Sequence, residues 1–132
     1  MTQDKQLLMA DLCARLPYGV KVQVADYKTP VELSHIDTKN GNGRKPYCFV
    51  FAFEPERVKP YLRPMSSMTE EEENIYEQLI KDIHYKPRPS RANALINWLD
   101  KNHFDHRTDD KGKTLIEKGL AIAVTEENNP YK

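Results

Sequence analysis

Lys59-Pro60-Tyr61-Leu62-Arg63-Pro64-Met65-Ser66-Ser67-Met68-Thr69-Glu70-Glu71-Glu72-Glu73 joins a proline-stiffened, basic, aromatic-bearing segment directly to a helix start. Pro60 and Pro64 each push the preceding residue toward extended backbone, because the pyrrolidine ring collides with an α-region neighbour. Thr69 with Glu72 three residues on forms a capping box, and the four glutamates suit the positive end of a helix dipole. The stretch reads as an extended crossing out of a sheet, followed by a well-capped helix. It marks the middle of the fold.

Upstream, Leu8, Leu12 and Leu16 recur every four residues, with Leu7 and Met9 widening the stripe. That is one face of a helix over 2–16, capped by Thr2 and stopped by Pro17 and Gly19. Residues 18–27 alternate, with Val20, Val22 and Val24 on one face, as a half-buried strand does. A turn at 28–30 leads to a second strand over 31–36. Asn40-Gly41-Asn42-Gly43 is a strong turn signal, since Asn and Gly tolerate positive φ. Residues 47–53 are apolar on both faces and read as a central strand covered on each side. Short connections favour an antiparallel meander.

Downstream, Ile75, Leu79 and Ile83 with Tyr76 and Ile80 give a buried stripe that the segment 85–89 breaks. Ser90 caps a further helix with Ala92, Leu95, Ile96 and Leu99 inward and Trp98 at its edge, fading near Asn102. Thr114 and Glu117 form a second capping box over a very short helix stopped by Gly119, and Leu120, Ile122 and Val124 alternate as a last strand. The expectation is an α+β fold: an N-terminal helix, a mostly antiparallel sheet of three or four strands, and two further helices packed on it. One domain spans 1–132, with 1–4 and 126–132 frayed. Its core draws on Leu8, Leu12, Leu16, Val22, Val24, Phe49, Phe51, Ile75, Leu79, Leu95, Leu99, Leu120 and Ile122.

At 132 residues the chain suits one domain with a real core, and 39% hydrophobic against 30% charged residues makes that core small. Lys+Arg and Asp+Glu both number 20, so no whole-molecule field draws it to nucleic acid or membrane. The charge is uneven, because the acidic helix start separates two mildly basic regions. Cys13 and Cys48 lie far apart in apolar contexts and read as buried free thiols in a reducing compartment. The first residues lead into an amphipathic pattern rather than a signal peptide, and no apolar run reaches membrane-spanning length. A cytoplasmic protein without membrane contact follows.

His103-Phe104-Asp105-His106 is the best candidate for chemistry. Two imidazoles and a carboxylate within four residues suit a metal, and a metal-dependent enzyme centred on His103, Asp105 and His106 is one reading. The competing reading is a helix C-terminus where imidazole meets the last carbonyls and Phe104 is the buried member. No cofactor is implied. A binding patch is the second candidate: Arg57, Lys59, Tyr61 and Arg63 with Tyr85, Lys86, Arg88 and Arg91. Side by side, these hold phosphates and stack a base, which makes a nucleic-acid accessory role an alternative. Otherwise Tyr61 is an anchor packed into the body. Glu70 to Glu73 point in different directions around a helix and cannot converge on one ion. The sequence has no phosphate-cradling loop, GxGxxG, GxSxG, HExxH or CxxC, which leans away from an enzyme.

Four strings carry a resemblance: 11–20 (DLCARLPYGV), 59–73, 98–105 (WLDKNHFD) and 115–121 (LIEKGLA). Together they resemble a family of small proteins of prophages and mobile elements in gut anaerobic bacteria, with no assigned activity. The resemblance implies a bacterial host cell and no transferable functional residue. Its pattern has an aromatic at position 106 and a shorter link before Leu115, so His106 and residues 108–114 are particular to this chain. The leading expectation is a small non-catalytic protein that acts by binding a host or phage protein, with counter-defence as one such role.

Overall fold

The computed structural model describes residues 3–24, 29–33, 35–37, 49–51 and 58–131. The chain runs α1 (Gln3–Arg15), β1 (Lys21–Val24), β2 (Val31–Glu32), β3 (His35–Asp37), β4 (Phe49–Phe51), β5 (Val58–Leu62), α2 (Glu70–Tyr85), α3 (Pro89–Lys101) and β6 (Ile122–Ala123). This is an α+β fold with helices packed on a four-stranded mixed sheet of order β2-β1-β5-β6. β1 pairs antiparallel with β2 and β5, and β5 pairs parallel with β6. The mostly antiparallel sheet holds for three strands, and the last one enters parallel.

The meander does not form. Residues 31–36 split into β2, beside β1, and β3, which pairs parallel with β4 in a separate two-stranded sheet. The described part of the stretch 47–53, residues 49–51, is therefore β4 of this separate sheet and not a central strand. Its place is taken by β5, the first part of the proline-bearing stretch, which lies between β1 and β6. Pro60 sits opposite Val22, and β6 pairs only with Tyr61 and Leu62 beyond it. The ring thus occupies a position with one paired neighbour, where a missing N–H is tolerated as at an edge. The turn at 40–43, Thr2, Cys48 and Arg57 lie outside the described residues, as do the side chains of Phe49 and Phe51.

α1 ends in a 3-10 turn (Leu16–Tyr18) whose cap, Gly19, has φ +68, and a Cβ there would approach Glu32 Oε1 at 3.1 Å. Only glycine meets both constraints cheaply. The core gathers Leu8 and Leu12 of α1, Val20, Val22 and Val24 around β1, Leu33, Val58, Leu62, Leu115 and Ala121. Leu16 and Leu120 pack against it from partly buried positions. Cys13 is exposed rather than buried.

α2 keeps its capping box: Thr69 Oγ1 accepts from Glu72 N–H at 3.2 Å, and Glu72 Oε1 accepts from Thr69 N–H at 2.9 Å. α3 starts two residues earlier than the Ser90 cap implied, with Arg88 at the cap position, Pro89 in its first turn and no side-chain cap. Proline fits there because the first N–H of a helix has no intrahelical partner. The Thr114–Glu117 pair also forms its reciprocal bonds, at 3.0 and 3.3 Å, but over a turn rather than a helix.

α2 itself differs most from expectation. None of its residues is buried, and Ile75, read as core, is 46% exposed. Its stripe leans on α3, with Tyr76 stacked on Trp98 at 6.5 Å, rather than on the sheet. The two helices form a hairpin carried on the body by the far end of α3, where Leu99 and Asp100 are buried.

Candidate protein-interaction surface

The segment after α3 is where the charged residues go inside. α3 closes with Phe104 N–H donating to Leu99 C=O at 2.9 Å and His103 N–H to Asp100 C=O at 3.1 Å. This pair of bonds places His103 at the position usually filled by glycine, and its φ is +61. Its ring stacks on Tyr131 with centroids 4.1 Å apart. Burial, then the Arg15 and Arg63 charges, lower its pKa from 6.5 to about 4, so the ring is neutral at pH 7.

His106 faces elsewhere: its Nε2 lies 2.8 Å from Asp100 Oδ1. Arg107 grips the same carboxylate with two bonds, at 2.7 and 2.8 Å, and reaches Asp11 Oδ1 at 2.8 Å. Arg15 donates from Nε to Asp11 Oδ2 at 2.9 Å and from Nη2 to Phe104 C=O. Asp11 and Arg15 are fully buried, and Asp100 nearly so. Burial opposes the Asp100 charge, but the hydrogen bonds from His106 and Arg107 and the charges of Arg107 and Arg15 prevail and hold its pKa well below the usual range. The result is a buried ionic knot tying α1 to the end of α3, in which only Arg15 Nη1 is buried without a hydrogen-bond partner among the described residues.

Asp105 points to a third place, accepting from Ile116 N–H at 3.1 Å, and burial raises its pKa. His103, Asp105 and His106 thus turn to three separate partners. Among the described residues no group of three His, Cys, Asp or Glu side chains is placed to hold a metal ion. The segment serves the architecture of the body, combining the helix-end reading with an ionic role for His106.

The proposed basic-aromatic patch is also divided. Tyr61 is 6% exposed and belongs to the core, so it offers no face to a base. Arg63 is spent: it forks onto Glu72 at 2.8 and 2.6 Å and lies 4.3 Å over the Phe104 ring. The Arg63 hydrogen bond lowers the Glu72 pKa to about 2. Arg91 donates to the Asp82 carbonyl at 2.6 Å, bracing the hairpin turn. Lys59, Lys86 and Arg88 are exposed, and Tyr85 is 84% exposed.

What remains accessible is the tip of the α2–α3 hairpin. Tyr85 ends α2, Lys86-Pro87-Arg88 forms the turn, and Pro89 opens α3. A shallow groove of about 320 Å³ runs beside it, lined by Ile83, Pro87, Arg88, Pro89 and Ala92. The sequence signal for this tip was the proline–cation alternation, which marks a stiff turn; nothing in it separates Tyr85, left outside, from Tyr61, taken inside. No helix among the described residues is long and apolar enough to cross a membrane. No family model, curated protein or solved structure matches the chain.

Proposed function

We propose that this is a small non-catalytic protein that acts by binding another protein through its α2–α3 hairpin. The observation that carries the reading is α2: sixteen residues with an apolar stripe, none of them buried. A helix in water draws most of its stability from packing an amphipathic face; α3 covers this stripe only in part and leaves Ile75 exposed at 46%, which favours a partner surface. The candidate acid–base groups support the same reading from the other side, because they turn to three separate partners inside the body, although His103 Nδ1 and Asp105 Oδ1 are buried without a hydrogen-bond partner among the described residues. The resemblance to proteins of mobile elements makes a host or phage protein the partner class, with counter-defence among the roles.

The test is affinity capture from bacterial lysate with the full chain immobilised as wild type and as the double variant Ile75→Glu, Tyr85→Ala. Both positions are exposed, so the melting temperature should stay close to wild type. The expected result is a discrete protein retained by the wild type and lost with the variant. Equal retention by both would contradict the assignment of the hairpin.

A further inference from the structure

We infer that the hairpin tip docks an acidic segment of a partner protein, one that carries an apolar or aromatic side chain among its carboxylates. This rests on the protein-binding reading above and adds the chemistry of the partner. Tyr85 is the most exposed large hydrophobic residue described, at 84%. Aromatic side chains of this kind are the usual anchors of an interface, since they bury much area for few rotatable bonds. Beside it, the groove is walled by Ile83, Pro87, Pro89 and Ala92 with Arg88 as its one charged member. It suits a single apolar side chain with a carboxylate at its edge.

Charge selects the partner further. Between Asp82 and Asp100 the sequence has no carboxylate, while it has Lys86, Arg88 and Arg91. Lys86 and Arg88 are exposed and enter no ion pair with another described residue. The turn is also held in advance, by its two prolines and by the Arg91 bond to the Asp82 carbonyl at 2.6 Å. A surface already ordered loses little conformational freedom on binding.

A nucleic-acid strand fits this tip less well than an acidic peptide. Strand binding needs a row of cations along the phosphates, and here Arg63 and Arg91 are already bonded within the protein. An apolar groove gains nothing from a phosphate.

Fluorescence polarisation with the full chain tests this, using a labelled peptide of Glu and Asp around two Phe residues. Its controls are the same peptide with Lys in place of the acids, and an oligothymidylate. The acidic peptide should bind, weaken with salt, and bind at least about tenfold more weakly to Tyr85→Ala and to Lys86→Glu, Arg88→Glu. Unchanged affinity in those variants, equal binding of the Lys peptide, or no binding would overturn the inference. Tighter binding of the oligothymidylate would overturn it in favour of nucleic acid. Sedimentation showing wild-type self-association abolished by Tyr85→Ala would overturn it in favour of a second copy. Lysate capture that fails with Ile75→Glu but ignores the tip variants would sink this docking site and leave the hairpin reading standing.

Discussion

Arg15→Ala should destabilise the protein by about 3–5 kcal/mol, read from urea unfolding. The guanidinium is fully buried and holds Asp11 at 2.9 Å and the Phe104 carbonyl, and it stands 3.8 Å from Asp100. Its removal leaves one Asp11 oxygen and a backbone carbonyl buried without their donor, which costs far more than the pair itself contributes. Arg107 continues to hold Asp11 and Asp100, so the body should still fold. A contrasting variant isolates the cause. Replacing Asp11, Arg15, Asp100 and Arg107 together by apolar residues of similar volume should cost much less than Arg15→Ala. Equal losses would mean that packing volume, rather than orphaned charge, sets the effect.

Tyr131→Ala should cost about 3 kcal/mol or more, an unusual effect at the penultimate position of the sequence. Residues 126–132 were expected to fray, yet Tyr131 is tied in at three points. Its hydroxyl donates to the Tyr61 carbonyl at 2.7 Å and accepts from Lys21 N–H at 3.0 Å, and its ring covers His103. Tyr131→Phe keeps the stack and loses the hydroxyl bonds, for about 1–3 kcal/mol. Thermal unfolding of the two variants separates these contributions. A wild-type-like Tyr131→Ala would show that the C-terminus does not pack on the body.

The same stack gives the protein a pH signature. His103 has a folded pKa of about 4 against 6.5 when unperturbed. Below pH 6.5 the unfolded chain therefore takes up a proton that the folded ring refuses. The His103 contribution is complete above pH 6.5 and is lost as pH falls toward 4, by at most about 1.4 kcal/mol per pH unit. Asp105, raised by burial, works in the opposite direction, and Glu72, lowered to about 2, loses its share at lower pH, between 4.5 and 2. Both are common to wild type and to His103→Asn, which does not titrate and tolerates positive φ. The stability difference between these two proteins should narrow or reverse from pH 7 to pH 5. A difference independent of pH would rule out a neutral buried His103.

The elements whose local signals agree with the fold were legible. α1, α2 and β1 follow from leucine spacing, a capping box and alternating valines, and the structure keeps all three. The sheet order was not legible, because strand pairing is a long-range choice that hydrophobic alternation does not encode. β5 was hidden by Pro60, which argues locally against a strand inside a sheet. The core was half visible. Val22 and Leu99 announce themselves and Phe104 is the buried member that the helix-end reading names, whereas Leu115 sits in polar surroundings that gave no period.

Two sequence rules failed for identifiable reasons. Asp11 and Arg15 look like the solvated side of α1, but four residues apart they share the face of Leu8 and Leu12, and Arg107 and Asp100 neutralise them inside. Ile75 and its neighbours look like core because the helical period is clear. Period shows that a stripe exists; it does not show whether this chain or another one covers it. The tip was partly legible: Tyr85, Lys86 and Arg88 were candidates, but Tyr61 and Arg63 were grouped with them and the structure spends both on the body.

The most direct test of the central claim, that the hairpin is the working surface, is photo-crosslinking of the full chain in lysate. A photoreactive amino acid is placed at position 85 at the tip, and in a second protein at position 111, an exposed site in the loop after α3. A discrete protein adduct from position 85 and none from position 111 is the expected result. Adducts from position 111 alone, or the same pattern from both, would contradict it.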